Sequence, residues 1–305
     1  MVTIKKRVLK GQTYYYLNHS IRENGKVQPK EVYLGKKIPT NIEKIKKDFL
    51  DDIYRKKWYS DIDIIKRNFA KNQRMMPKSV QEKELENFAI NFTYDTQRIE
   101  GSTLTRRETF DLLERGITPK SKPVRDVQEA EAHRDLFFEI LKSNKDLSLN
   151  QVQEWHWKLF SKTKVGIAGK IRNYQVAIGG SKFVPPSPVE VFPMLEEFFK
   201  WYNKNKDKLH PVELAAVAHL KFVAIHPFGD GNGRVSRLIM NFILDRKKYP
   251  MLDIPYDGRS SYYNALERSH VKKEYRVFLQ WIIKRYIKEH KRYLRQIPQA
   301  LKDSN

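Results

Sequence analysis

The stretch that most constrains this chain is HPFGDGNGRVSR, His226 to Arg237, because of what stands on either side of it. Before it, Pro211–Ile225 is an almost uninterrupted apolar run of helical length. After it, Val235, Leu238, Ile239, Phe242 and Ile243 recur at the i, i+3, i+4, i+7, i+8 spacing of a helix that buries one face. A glycine-rich loop is therefore pinned between two core helices and opens into the N-terminus of the second. Backbone N–H groups of Gly231, Asn232 and Gly233 are free there to point at a phosphate, and the helix dipole favours negative charge. His226 is a candidate general base, since imidazole titrates near neutral pH. Asp230 is a lone carboxylate, enough for a Mg²⁺ that draws its other ligands from water and substrate phosphates. Arg234 and Arg237, three apart, are expected to aim two guanidinium forks at one pocket. Together these groups suit chemistry on a nucleotide phosphate.

Composition removes several alternatives. With no cysteine in 305 residues, disulfide scaffolds, thiolate zinc sites and thiol nucleophiles are excluded. No apolar run of transmembrane length and no leader-like N-terminus occurs, so the expectation is a soluble, cytoplasmic chain with no membrane partner. The net charge of +23 permits attraction to nucleic acid, but it equally fits general lysine enrichment. Residues 1–80 carry 20 Lys/Arg against 8 Asp/Glu, about half of the excess.

Residues 1–36 read as strands, with Thr13–Leu17 and Val32–Leu34 joined by an Asn24-Gly25 hairpin turn. Such a ribbon needs a packing partner. Its tyrosines and lysines are of a kind that contacts phosphates, while lysines on a solvated edge also keep strands from aggregating. Pro39 to about Lys71 turns helical and basic. The expected organisation is a basic N-terminal module over 1–75, of unknown role, and one larger helical domain over 76–295.

Within that domain Ser79–Glu100 has helical spacing and is closed by Gly101. Thr105-Arg-Arg-Glu108 is a capping box. Asp126–Ser143 is expected to bury Val127, Ala130, Phe137, Phe138 and Leu141, and Ser148 to cap the helix carrying Trp155 and Leu159. His133 and His156 read as core or surface histidines, because no carboxylate cluster stands beside them at metal spacing. Tyr174–Ile178 and Lys182–Val184 read as a short hairpin around Gly179-Gly180-Ser181. Helices follow over Val189–Asn203, from Arg259, and over Val277–Ile287; the basic tail beyond is expected to fray.

HPFGDGNGR resembles the signature of the Fic family, HPFx[D/E]GN[G/K]R, at every fixed position, and RVSR adds the second arginine of many members. TQRIEG, Thr96 to Gly101, resembles the [S/T]xxxE[G/N] motif of members whose inhibitory helix precedes the catalytic domain. The resemblance covers about residues 80–290. It implies a mainly α Fic-fold bundle with a β-hairpin flap at about 174–186, plus the small basic module with its own hairpin. It also implies a protein adenylyltransferase: ATP·Mg on the 226–234 loop, Asp230 at the metal, and Gly231, Asn232, Gly233, Arg234 and Arg237 on the phosphates. His226 would take the proton of a Ser, Thr or Tyr hydroxyl on an unknown target protein or on the chain itself. Tyr263, second of the YY pair, is the candidate against adenine, while His270 stands near where relatives have an asparagine. Glu100 would inhibit; an acid at a helix C-terminus needs a partner, and Arg237 is the candidate. Two other readings stay open. One is the same site run mainly as a hydrolase that removes AMP. The other is a nucleic-acid-binding regulator with a nucleotide-sensing Fic domain. A homodimer is also open.

Overall fold

A computed structural model describes residues 2–23, 26–273 and 275–294. The Asn24-Gly25 turn lies outside the described residues, as does the tail after Leu294. The chain divides into two compact units, Met1–Ile64 and Ile65–Asn305.

The first unit is a three-stranded antiparallel sheet in the order β1 (Thr3–Leu9), β2 (Gln12–Glu23), β3 (Lys26–Gly35), with the start of helix α1 (Ile42–Met75). The ribbon expected from the sequence thus gains a third strand. β1, TIKKRVL, carries little of the apolar alternation that marks a half-buried strand, and its turn uses Lys10-Gly11 at φ 47° and 74° rather than Asn-Gly. Leu17 and Ile21 of β2 pack on Phe49 and Ile53 of α1, which supplies the partner a ribbon lacks.

The second unit is helical: α2 (Lys78–Ile99), α3 (Arg106–Arg115), α4 (Val124–Lys142), α5 (Leu149–Phe160), α6 (Pro188–Asn205), α7 (Pro211–Ile225), α8 (Asn232–Arg246), α9 (Arg259–Val271) and α10 (Arg276–Glu289). Its centre is α7 packed on α8. α7 is buried nearly all round, Leu214, Ala216, Ala218 and Phe222 having no exposed surface. That follows from its composition, since a helix apolar on every face is stable only when enclosed. Phe222 meets Phe198 of α6 at 5.8 Å between ring centroids, and Phe242 of α8 meets Trp155 of α5 at 5.6 Å. Each such buried aromatic or leucine contributes about 1.5–3 kcal/mol. The caps fall where the sequence placed them. Thr105 and Glu108 form the reciprocal capping box of α3, and the Ser148 hydroxyl accepts from the Gln151 N–H.

Two expectations are corrected. The buried stripe of α4 runs through Glu129, His133, Leu136, Phe137 and Ile140, whereas Phe138 and Leu141 are half-buried. Residues 174–186, expected as a β-hairpin, form no ladder. Prolines 185, 186 and 188 remove donors from the return arm, and the Arg172 side chain takes the carbonyls of Tyr174 and Pro186 that a partner strand would have used. The tail beyond Ile287 extends α10 to Glu289 and adds a turn, Lys291–Leu294.

α2 is fixed to the segment after α8 by acids. Asp95, almost fully buried, accepts from the Tyr256 N–H at 2.8 Å and from Arg106. The Asp253 carboxyl hydrogen-bonds it, and burial together with the Asp95 charge holds Asp253 protonated, far above the usual carboxylate range. Glu289 pushes the same way and Arg106 opposes. A raised folded-state pKa means that folding takes up a proton above about pH 4, so this pair weakens the fold as pH rises. Asp253→Asn, which donates to Asp95 without a proton to lose, is expected to raise Tm at pH 7, by about 2–4 °C per kcal/mol recovered in a domain of this size. The gain should shrink toward pH 4. Thermal melts across that range check it, and an equal shift at every pH would refute the shared proton.

Candidate active site

The His226–Arg234 loop is built by contacts from four elements. His226 caps α7 in the left-handed region, φ 51°, its N–H donating to the Phe222 carbonyl at 3.1 Å. That conformation is uncommon for a side chain other than glycine and costs on the order of 1 kcal/mol. It turns the imidazole so that Nδ1 lies 3.2 Å from the Val223 carbonyl. A carbonyl can only accept, so Nδ1 carries the hydrogen and Nε2 keeps a free lone pair. Burial lowers the His226 pKa below its ordinary value, with the Arg172 charge adding to it and the Val223 contact opposing. The ring is therefore neutral at pH 7 and able to accept a proton at Nε2.

The remainder of the loop is held by side chains given no structural part at the sequence level. Asn232, 2% exposed, clamps Phe228 in both directions: its Oδ1 accepts from the Phe228 N–H and its Nδ2 donates to the Phe228 carbonyl, each at 2.9 Å. It thus shapes the loop with its side chain and offers ligand only its backbone amide. His156 lies flat against Phe228, centroids 3.8 Å apart. Its Nδ1 accepts from the Gly169 N–H and its Nε2 bonds the Asp230 carbonyl at 3.0 Å, so this core histidine supports the loop. Burial pushes its pKa down to about 4, which keeps that tautomer neutral. Gly231, φ 79°, lies where a Cβ would come within 2.3 Å of Phe160. The next amides, of Asn232, Gly233 and Arg234, open α8 and have no intrahelical acceptor.

The two arginines, expected to face one pocket together, are drawn to different carboxylates. Arg234 donates to Glu129 of α4, to Gln97 Oε1 at 3.2 Å and to Asp230 Oδ1 at 3.2 Å. Lys164, in the turn after α5, bridges Glu129 and Asp230 at 2.8 Å each. Burial alone would raise the Asp230 carboxyl, but Arg234, Lys164 and the Gly231 N–H outweigh it and hold it below the usual range. Glu129 and Lys164 were not singled out from the sequence. Glu129 had a signal, an acid lying on the apolar stripe of α4; Lys164 had none.

Arg237, 1% exposed, donates through Nε to Thr96 Oγ1 at 3.1 Å and through Nη2 to Glu100 Oε1 at 2.5 Å. Tyr262 accepts from Nη1 at 3.4 Å and lies 3.0 Å from His219. Burial opposes the charge on Arg237, but Glu100 and Tyr262 hold its pKa above its ordinary value. The expected Glu100–Arg237 pair is thus present, and Thr96 of the same motif completes it. Glu100 also lies over α8: a Cβ on Gly233 would meet its Oε1 at 2.3 Å. An acid disfavoured at the C-terminus of α2 is thereby offset by the N-terminus of α8. Tyr263 is half-exposed, and its hydroxyl donates to the Ile99 carbonyl at 2.8 Å, one residue before Glu100. His270 stands against Phe183 of the 174–186 segment, centroids 4.4 Å apart, and the Lys182 N–H donates to Glu267 of α9. Arg172, a further buried residue not foreseen, ties that segment to the site by donating to the His226 carbonyl at 2.7 Å. Among the described residues no group of three or more His, Asp or Glu could hold a metal by itself.

Comparison with known proteins agrees with this geometry. The profile of the Fic/DOC family matches residues 146–244. Protein adenylyltransferase fic-1 of Caenorhabditis briggsae is 34% identical over 209 residues, covering 67% of this chain and 41% of that protein. Protein adenylyltransferase Fic of Drosophila melanogaster is 35% identical over 179 residues, 57% of this chain and 36% of that one. The chain therefore spans about two fifths of the length of these relatives. Among solved structures, a Fic-1 fragment from Caenorhabditis elegans superposes with a TM-score of 0.72 at 26% identity, covering 83% of this chain and 75% of that one. A Fic-domain signalling protein from Bacteroides thetaiotaomicron gives 0.68 at 26% identity, covering 76% and 95%. With the loop, the arginine after it and the helical frame all in agreement, the chain belongs to the Fic family.

Proposed function

We propose that this chain is a protein adenylyltransferase that moves AMP from ATP to a hydroxyl of a protein. The observation that carries the reading is His226. Its Nδ1 is tied to Val223, and its neutral Nε2 is free to accept a proton on the loop that ends in the open amides of α8. The hydroxyl oxygen forms a bond to the α-phosphorus while its proton passes to His226 Nε2. The bond from that phosphorus to the bridging oxygen breaks, and pyrophosphate leaves with the electron pair. The first-turn amides, Arg234 and Arg237 would bind the phosphates, and donors set in advance on developing charge are worth about 10²–10³ in rate each. Tyr263 would stack beside the base.

Asp230 fits a Mg²⁺ of the kind that takes most ligands from phosphate and water, since its side chain is 42% exposed and ionised. Bound there, the ion would neutralise phosphate charge; in the structure Lys164 and Arg234 neutralise the Asp230 carboxylate itself. Glu100 supports an autoinhibited resting state, because it engages Arg237 and covers the first turn of α8.

The test is incubation of the purified protein with a cell extract and α-labelled ATP, with γ-labelled ATP in a parallel reaction. Label in protein bands, lost with EDTA, is the expected result. Label that transfers only from the γ position would make it a kinase instead. Loss of AMP from a pre-adenylylated protein without any forward transfer would assign the reverse, hydrolytic reaction.

A further inference from the structure

We propose that the outer face of the N-terminal sheet binds single-stranded nucleic acid. The register decides which side chains share that face. Lys5 is opposite Tyr16, which is opposite Tyr33; Arg7 is opposite Tyr14; Asn18 is opposite Glu31. The alternate residues, Leu17 and Ile21, go to the other face, where α1 packs. Among the described residues of this unit, α1 is the one helix, so no helix of this unit covers the tyrosine face, on which Tyr33 is 52% exposed, Tyr14 and Tyr16 are half-buried and Asn18 is buried.

Three tyrosine rings adjoin across β2 and β3, Tyr16 to Tyr33 at 5.2 Å and Tyr14 to Tyr33 at 6.2 Å. Along one side, on β1, run Lys5 and Arg7, their side chains 50% and 46% exposed. Arg7 is aligned beforehand: its guanidinium lies 4.6 Å over the Tyr16 ring and 2.6 Å from Glu31. Asn18 donates to the other Glu31 oxygen at 2.9 Å, which fixes the acid that orients the arginine.

This is an aromatic platform with a cationic rail on one edge. Bases stack on such rings whatever their sequence, while the rail follows one phosphate backbone. A duplex would hide its base faces from the rings and present two backbones, for which β3 offers Pro29, Glu31 and Tyr33 rather than a second cationic row. Tyrosine and arginine also favour protein partners. The charge argues against that occupant, since residues 1–41 hold nine Lys/Arg against two Asp/Glu, a balance suited to a polyanion.

The full chain is titrated into fluorescein-labelled mixed-sequence RNA and DNA single strands of about 12 nucleotides, and into a DNA duplex of equal length. Anisotropy is read between about 50 and 200 mM salt. The expected result is tighter binding to the single strands than to the duplex, and the RNA and DNA arms show whether the sugar matters. Tyr33→Leu should weaken binding about 5- to 100-fold, whereas Tyr33→Phe, which keeps the ring, should stay near wild type. Lys5→Gln with Arg7→Gln should reduce the slope of log affinity against log salt by about 1.4. Thermal melting establishes that each variant folds, and Tyr14→Leu repeats the test should Tyr33→Leu unfold. Binding no tighter to single strands than to duplex, no binding at the lowest salt, or affinity indifferent to loss of the ring would overturn the proposal.

Discussion

His226→Ala is expected to lower AMP transfer on the order of 10²–10⁴-fold while labelled ATP still binds. The hydroxyl then has no acceptor for its proton, whereas the phosphate donors stand on α8 and do not pass through the imidazole. Two further readouts separate loss of a base from general damage. In the wild type, transfer should fall on acidification with an inflection below the ordinary histidine value, because burial lowers the His226 pKa and only the neutral ring can accept. Protonation at Nε2 is thus the inactivating event, and rate rises with pH through it. Second, His226→Gly should melt no lower than wild type, since glycine accepts the φ of 51° at no steric cost. Near-wild-type labelling by His226→Ala would remove the base from the mechanism.

The loop and its two helices were legible because one apolar run broken only by Glu213, His219 and Lys221 and one strict helical stripe leave few ways to fold. The Glu100–Arg237 pair was legible for a different reason. The resemblance of TQRIEG to the inhibitory motif singled out Glu100, and an acid at a helix C-terminus needs a partner, which Arg237 and the N-terminus of α8 supply. What stayed hidden depended on contacts between elements distant in sequence. Arg172 looks like any exposed arginine until its fork meets the carbonyls of Tyr174, Pro186 and His226 at once. Lys164 acquires meaning only between Glu129 and Asp230. The 174–186 segment had strand-like composition, but its proline-rich return cannot complete a ladder. Asn232 fits the loop pattern, but the clamp its side chain places on both backbone groups of Phe228 appears only in the fold.

Glu100→Gly is expected to raise auto-AMPylation on the order of 10- to 100-fold, the range typical of a coupling between two sites. In the wild type the Glu100 carboxylate takes Arg237 Nη2 and lies against Gly233. On the proposed reading it would act as a resident anion where a phosphate would go, and its charge would repel the triphosphate as well. Removing it leaves Arg237 enclosed with Thr96 and Tyr262 as its remaining partners, neither of them charged. Loss of one member of a buried pair commonly costs about 3–5 kcal/mol. The figure here is smaller, because Glu100 keeps 23% of its side-chain surface in water and Arg237 keeps its hydrogen bonds to Thr96 and Tyr262. The variant should accordingly melt below wild type without nucleotide and gain more from ATP, whose phosphate replaces the missing carboxylate. Arg237→Ala added to Glu100→Gly should lose most of the gain in activity and most of the extra ATP-induced shift. If Glu100→Gly is no more active than wild type, the inhibitory contact falls and the chemistry of His226 stands. If the double variant matches Glu100→Gly, Arg237 does not hold the phosphate, and Glu100 inhibits through its charge over α8 alone.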